Sequence, residues 1–541
     1  MPAPALPVDA LLPDLLEGLR AHGSAVVRAP TGSGKTTRVP PALLDALAAR
    51  AGPQPGGPAR DVLVLQPRRL AARAAARRIA EERGSALGDE VGYAVRFDRR
   101  AGPRTRLLVV TEGLLMRMLQ EDPFLSRAGA VVLDEFHERH LDSDLSLALL
   151  RRVQGEARPD LWLVAMSASD LGPALPAFLG GAPLVACEGR LFPVEQRWRR
   201  ADRDEPLPRA VAAGVAEALA GSPGDVLVFL PGLGEIRRCG EELAPLAARA
   251  GAALVELYGD LPAERQDEAL RAGPRRRVIL ATNVAETSVT VEGVTAVVDS
   301  GLQRQLRFDP AVGLDRLELV RISRASAEQR AGRAGRTAPG LCVRLWSEHE
   351  QRALVERDEP EVLRVDLAGP ALQLLAWGER DLFGFPWLQA PPRAALEEAL
   401  ALLARLQAAD ERGLSAEGRA MARLPVHPRL ARLLLEGARR GVPEAAATAA
   451  ALLSERDPFL RGPQRPGGRA PTHVSRSDMG DRLAALHDFE RRGLRHSELG
   501  ELHQAGARSV LRVRDQLLAL LREAGGPPAR ARAAAHADEA L

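Results

Sequence analysis

Between residues 24 and 186, five short apolar runs alternate with helical text: SAVVRAP, DVLVLQP, TRLLVVT, AVVLDE and LWLVAMS. Each is rich in Val and Leu and ends in a polar or Pro-containing turn. That alternation predicts a buried parallel sheet with crossover helices. A second set follows, PVEQRW, DVLVFLPG, ALVELYG, RRVILATN and TAVVDSG, ending near residue 350. The chain is therefore expected to hold two α/β domains in series. Past residue 351 the strand pattern stops. DLAGPALQLLAWGERD, PRAALEEALALLARLQAAD, SAEGRAMARL and HPRLARLLLEGARRG have helical spacing. Residues 461–476 form a Pro/Gly/Arg loop in this reading, and PPARARAAAHADEAL a frayed tail.

At 541 residues the chain has room for about three or four domains. No apolar run approaches the roughly 18 residues of a membrane span, so no membrane partner is expected. The opening MPAPALPVDALLPDLLEGLR lacks a secretory pattern and reads as an amphipathic helix. Cys187, Cys239 and Cys342 are far apart, without metal-type spacing, which fits a reduced cytoplasm. A net charge of +3 permits a basic partner surface without demanding one. Of the 74 Lys and Arg residues, Lys35 is the one lysine. A compositional drift from Lys to Arg accounts for the rest and leaves lysine where arginine cannot work.

Lys35 sits in Gly32-Ser33-Gly34-Lys35-Thr36-Thr37, between a strand and a helix. The glycines let backbone N–H groups converge on an anion at a helix N-terminus. Lysine reaches the phosphates as a compact point charge, and the Thr36 hydroxyl suits Mg²⁺. Ala29 stands where the simplest pattern has glycine. Asp134 and Glu135 close another apolar strand, at the end of a parallel sheet where ligands bind. Asp134 can hold the metal and Glu135 can polarise an attacking water, whereas ordinary helix capping is the alternative for either acid. His137 and His140 form HERH, not HExxH, and are not assigned to zinc. In Gln329-Arg-Ala-Gly-Arg333-Ala-Gly-Arg336, small residues between arginines are expected to line guanidiniums along one helix face. They read as arginine fingers reaching phosphate from the second domain, with a solvated basic helix as the alternative.

Together, APTGSGKTT, TEG (111–113), DEFH (134–137), SAS (167–169), ATNVAETSVTVEGV (281–294) and QRAGRAGR (329–336) resemble, in order, the motifs of DEAH-box helicases of superfamily 2. The short lead into the loop and LPVHPRLARLLLEG are most similar to the bacterial HrpB subgroup, then to the HrpA type; HrpB-like chains usually continue further at the C-terminus. The resemblance implies two tandem RecA-like parallel-sheet P-loop domains followed by a mostly α part. Their bounds would be 1–186 and 187–350, then a winged helix over 351–425 and a helical bundle over 426–541.

By the same resemblance, Gly32, Ser33, Gly34, Lys35, Thr36 and Thr37 would bind ATP or another NTP. Thr36, Asp134 and Glu135 would hold Mg²⁺, and Gln329 would position water beside the fingers Arg333 and Arg336. Ser288 and Thr290 would sense nucleotide state, and Ser167 with Ser169 would couple hydrolysis to strand movement. Arg78 matches a base-stacking arginine, but Leu270 stands at the aromatic position, so nucleotide choice should be loose. Pro67, Arg68, Arg69, Thr111, Glu112, Gly113, Thr282 and Asn283 would contact nucleic acid through its backbone, single-stranded RNA before DNA. A hairpin over 303–320 would act as a wedge. The implied function is an NTP-dependent helicase or translocase acting as a monomer. A ribonucleoprotein remodeller and a non-catalytic binding protein are the alternatives.

Overall fold

Val62–Leu65, Ala128–Leu133 and Trp162–Ser167 are buried at every position, which requires cover on both faces of the sheet they build. The structure, a computed structural model, describes residues 5–51, 61–96, 98–188, 192–199, 204–287, 289–309, 313–455, 457–460, 477–497 and 499–523. The first sheet comprises β1 (Ser24–Arg28), β2 (Asp61–Leu65), β3 (Val91–Val95), β4 (Asp98–Arg100), β5 (Leu107–Val110), β6 (Ala128–Leu133), β7 (Trp162–Ser167) and β8 (Leu184–Ala186). Its order is β4-β3-β5-β2-β6-β7-β1-β8. Neighbours are parallel except β3 with β4. All five expected runs lie in it; β3, β4 and β8 were not anticipated.

The second sheet contains β9 (Val194–Trp198), β10 (Asp225–Phe229), β11 (Ala253–Leu257), β12 (Arg277–Ala281) and β13 (Val294–Asp299). After them β14 (Leu302–Asp309) and β15 (Leu314–Arg321) pair antiparallel as a separate hairpin, and β16 (Gly340–Arg344) returns to the sheet. The order is β11-β12-β10-β13-β16-β9, parallel throughout. The hairpin's turn, 310–312, lies outside the described residues.

Two helices cover the first sheet beside the glycine loop. Val39, Leu43 and Leu47 of Lys35–Ala51, and Ala72, Ala76 and Ile79 of Arg69–Glu82, pack on Val62, Val64 and Val91. Leu70 and Ala71, at the start of the second helix, pack instead with Leu257, Ala269 and Ile279 of the second α/β domain. One helix thus contributes to both cores, and the two sheets belong to one compact unit, Met1–Val365 with Pro386–Pro391.

The second unit comprises Asp366–Phe385 and the chain from Pro392 onward. Its helices include Ala368–Trp377, Arg393–Arg405, Ala416–Ala422, Pro428–Arg439, Pro443–Ser454, Asp478–Arg492 and Gln504–Glu523. A two-stranded ladder joins Ala409–Asp410 to Gly413–Leu414. The loop over 461–476 and the expected tail lie outside the described residues.

Candidate nucleotide and nucleic-acid site

β6, β7 and β1 are neighbours, so the loops after them open at one end of the first sheet. After β1, Gly32 and Gly34 adopt φ of +89° and +92°, which side chains disfavour. A Cβ on Gly34 would stand 2.6 Å from Leu6 Cδ1, so the loop can pass there only as glycine. Val8 N–H donates to the Ser33 carbonyl at 3.2 Å and fixes the loop from outside. The helix begins at Lys35, and its first N–H groups have no carbonyl a turn earlier within the helix.

Lys35 Nζ lies 3.2 Å from Glu135 Oε1, with both side chains almost fully buried. The Thr36 hydroxyl donates to Asp134 Oδ2 at 2.5 Å, as does Gln66 Nε2 at 2.5 Å. Asp134 Oδ1 accepts the Glu135 N–H at 2.8 Å. Glu135 takes φ of +52°, a left-handed conformation costing a non-glycine residue about 1–2 kcal/mol. Burial and the neighbouring Glu135 push the Asp134 carboxyl up to about 6. Burial also opposes charge on Glu135, yet Lys35 and His137 outweigh it and hold that carboxyl below its ordinary range.

His137 Nδ1 accepts the Ala168 N–H at 3.3 Å, and burial lowers the ring's pKa. The Ser167 hydroxyl donates to the Ser169 carbonyl at 2.5 Å. The SAS turn is thereby tied to the acidic segment.

From the second domain, the helix Arg324–Ala331 ends before Arg333 and Arg336. The arginines do not share a helix face as expected; Gly332 and Gly335 let the chain leave the helix. Arg330 is still helical and fully buried, pairing with Glu286 Oε2 at 2.8 Å and Asp299 Oδ1 at 3.0 Å. Arg333 is also buried, but its guanidinium donates to the Glu286 and Val289 carbonyls. Among the described residues no carboxylate pairs with it. Arg336 donates to Thr290 Oγ1 at 2.5 Å, and its Nε is buried without a partner. Burial drives the Arg333 pKa well down, aided by Arg336, and brings Arg336 to about 10. The Glu135 carboxylate of the first domain lies within electrostatic reach of both.

A cavity of about 670 Å³ is lined by Arg68, Arg69, His137, Thr282, Asn283 and Gln329, among others. Arg68 crosses the domains, donating to the Asn283 carbonyl and, at 2.9 Å, to Glu138 Oε2. Arg69 faces Asp260 at 3.7 Å. Thr111 directly precedes the helix Glu112–Glu121, without a side-chain capping hydrogen bond, and does not line this cavity. Arg78 lies outside the cluster, paired with Glu82 at 2.7 Å, while Leu270 packs against the second domain's core. Thr37 is in the first turn of its helix, its hydroxyl near the Gly34 carbonyl. Ser288 lies outside the described residues.

Sequence reasoning missed three groups. Glu286 joins Ser326, at 2.6 Å, to Arg330. Glu138 accepts the Thr287 hydroxyl from the other domain at 2.6 Å, and Gln66 orients Asp134. Glu286 lay inside ATNVAETSVTVEGV, Glu138 directly after DEFH and Gln66 at the end of DVLVLQP, which was the available signal; their partners are distant in sequence.

A profile of the DEAD/DEAH box helicase family matches residues 9–169, and one of the helicase conserved C-terminal domain matches 211–338. The chain belongs to the DEAD/DEAH box helicases. A third profile, the ratchet-like helicase associated domain HA2, covers residues 427–502 of this helicase. It is 45% identical over 455 residues to the ATP-dependent RNA helicase HrpB of Escherichia coli, spanning 83% of this chain and 55% of that protein. It is 36% identical to HrpA of the same organism over 84% of this chain and 35% of that one. It thus spans about half or less of these curated relatives. A crystal structure titled as the Escherichia coli DEAH/RHA helicase HrpB superposes with a TM-score of 0.78 at 41% identity, covering 96% of this chain and 63% of that one. The two parallel-sheet domains of this DEAD/DEAH box helicase are RecA-like, and a helical part follows them.

Proposed function

We propose that the chain is an ATP-dependent helicase or translocase that hydrolyses NTP between its two RecA-like domains and moves single-stranded nucleic acid, RNA before DNA. The observation that carries this reading is the buried Arg333, held by carbonyls with no carboxylate partner among the described residues, within electrostatic reach of Glu135. A buried guanidinium without a counter-charge is costly, and an anion supplied across the cleft would offset that cost.

The loop fits a triphosphate. Ser33 Oγ is buried without a partner, and a Cβ on Gly32 would meet nothing within 4 Å, so the loop is open on that side. Thr36, Asp134 and Glu135 are hard oxygen donors of the kind Mg²⁺ takes; there the metal would neutralise charge on the phosphates. Lys35 would exchange Glu135 for phosphate, freeing that carboxylate to polarise water that Gln329 positions. Arg333 and Arg336 would stabilise the charge that develops as the terminal phosphate leaves.

Arg68, Arg69, Thr282 and Asn283 would follow the sugar-phosphate backbone. Arg68 already links the domains, so nucleotide-driven movement would reach the strand directly. Thr111 would extend the track. The exposed Leu317 and Leu319 of the hairpin would serve as a wedge. Residues 351–425 would form the winged helix and 426–541 the bundle of a monomer working in the cytoplasm.

Strand displacement from a duplex with a 3′ overhang tests this reading. The chain should release the strand with ATP, and Glu135→Gln should bind nucleotide and polymer yet release none. Nucleic-acid-stimulated hydrolysis without strand release would instead favour a remodeller.

A further inference from the structure

His140, the second histidine of HERH, lies outside the nucleotide cradle. Its Nδ1 is 3.1 Å from Glu112 Oε1 and its Nε2 is 3.3 Å from Glu138 Oε2. These carboxylates belong to different working parts. Glu112 opens the helix that follows Thr111, and its Oε1 also accepts the Ser143 hydroxyl at 2.5 Å. Glu138 accepts the Thr287 hydroxyl from the second domain and pairs with Arg68.

We propose that His140 is a positioning residue: its ring, clamped between Glu112 and Glu138, couples the nucleic-acid track at Thr111 to the contact between the two RecA-like domains. The proposal rests on the helicase reading above.

The charges around the ring explain why a cation is needed. Glu112 faces it from one helix and Glu138 from the strand-end turn, Asp142 of the following helix interacts with it electrostatically, and Glu361 accepts the adjacent Leu141 N–H at 3.0 Å. Arg139 is engaged by Asp144 at 2.9 Å, and Arg68 pairs with Glu138. Burial, Glu112 and Glu361 push Asp142 up to about 7, the signature of a neighbourhood short of positive charge. For His140 burial opposes protonation, but the two glutamates outweigh it and raise its pKa well above 6.5. The folded pKa is raised, so the clamp is complete at and below pH 6.5 and is lost as pH rises through the folded value.

The ratio of polymer-stimulated to basal hydrolysis, followed from pH 6.5 upward in the full chain, reads this out. In the native protein the ratio should fall as the ring deprotonates. His140→Gln should keep basal turnover, lower the ratio by about tenfold and flatten the profile. His140→Lys, which restores a cation with a pKa of about 10, should recover the ratio and shift its fall upward. A native ratio and profile in His140→Gln, or equal loss of basal and stimulated turnover, would overturn the proposal. Amide exchange over residues 283–287 without polymer separates the two readings. Absence of stimulation in all three proteins sinks the helicase reading. Faster exchange in His140→Gln alone still upholds the clamp, and equal exchange in all three sinks it.

Discussion

Arg333→Gln is expected to lower polymer-stimulated turnover by about 10³–10⁵-fold, the range an arginine finger supplies, with a modest loss of stability. Arg330→Ala, three positions earlier, should do the reverse in kind and unfold the second domain first. The difference lies in the partners. Arg330 neutralises Glu286 and Asp299 in the core, and its guanidinium carbon sits 4.9 Å from the Phe229 ring centroid. Removing it leaves two buried carboxylates unpaired, a change that costs about 3–5 kcal/mol. Arg333 has carbonyl partners, and the glutamine amide can still donate to one of them. Thermal melting and hydrolysis measured on both variants check the contrast. Equal melting losses would mean that Arg333 is a structural residue like its neighbour.

Lys35→Arg should abolish hydrolysis while the protein melts as the native chain does. The substitution conserves charge, so electrostatic attraction to phosphate alone would tolerate it. The space does not: Nζ ends in a buried pocket against Glu135, beside a loop closed by Leu6 over Gly34. A planar fork requires a wider approach than a compact ammonium. Near-native turnover in Lys35→Arg would mean that the lone lysine of an arginine-rich chain was kept for some other reason.

Much of this could be read from the sequence because the informative residues follow strands directly. Lys35 and Thr36 after β1, and Asp134 and Glu135 after β6, inherit their positions from the sheet, and apolar runs reveal the sheet. β8 could not be read that way, since its three residues include two exposed ones, nor could β16, whose Arg344 is buried between Trp198 and Trp346. The arginines of QRAGRAGR are chemically alike and regularly spaced. Sequence could not separate Arg330 from Arg333 because the helix ends between them. His140 was legible as a histidine and not as a clamp, since Glu112 lies 28 residues away on another element.

NTP hydrolysis by the native chain, measured alone, with single-stranded RNA and with single-stranded DNA, tests the central claim most directly. RNA is expected to raise turnover, DNA to do so less, and Lys35→Arg to abolish the rate under every condition. Turnover that neither polymer stimulates would contradict that claim.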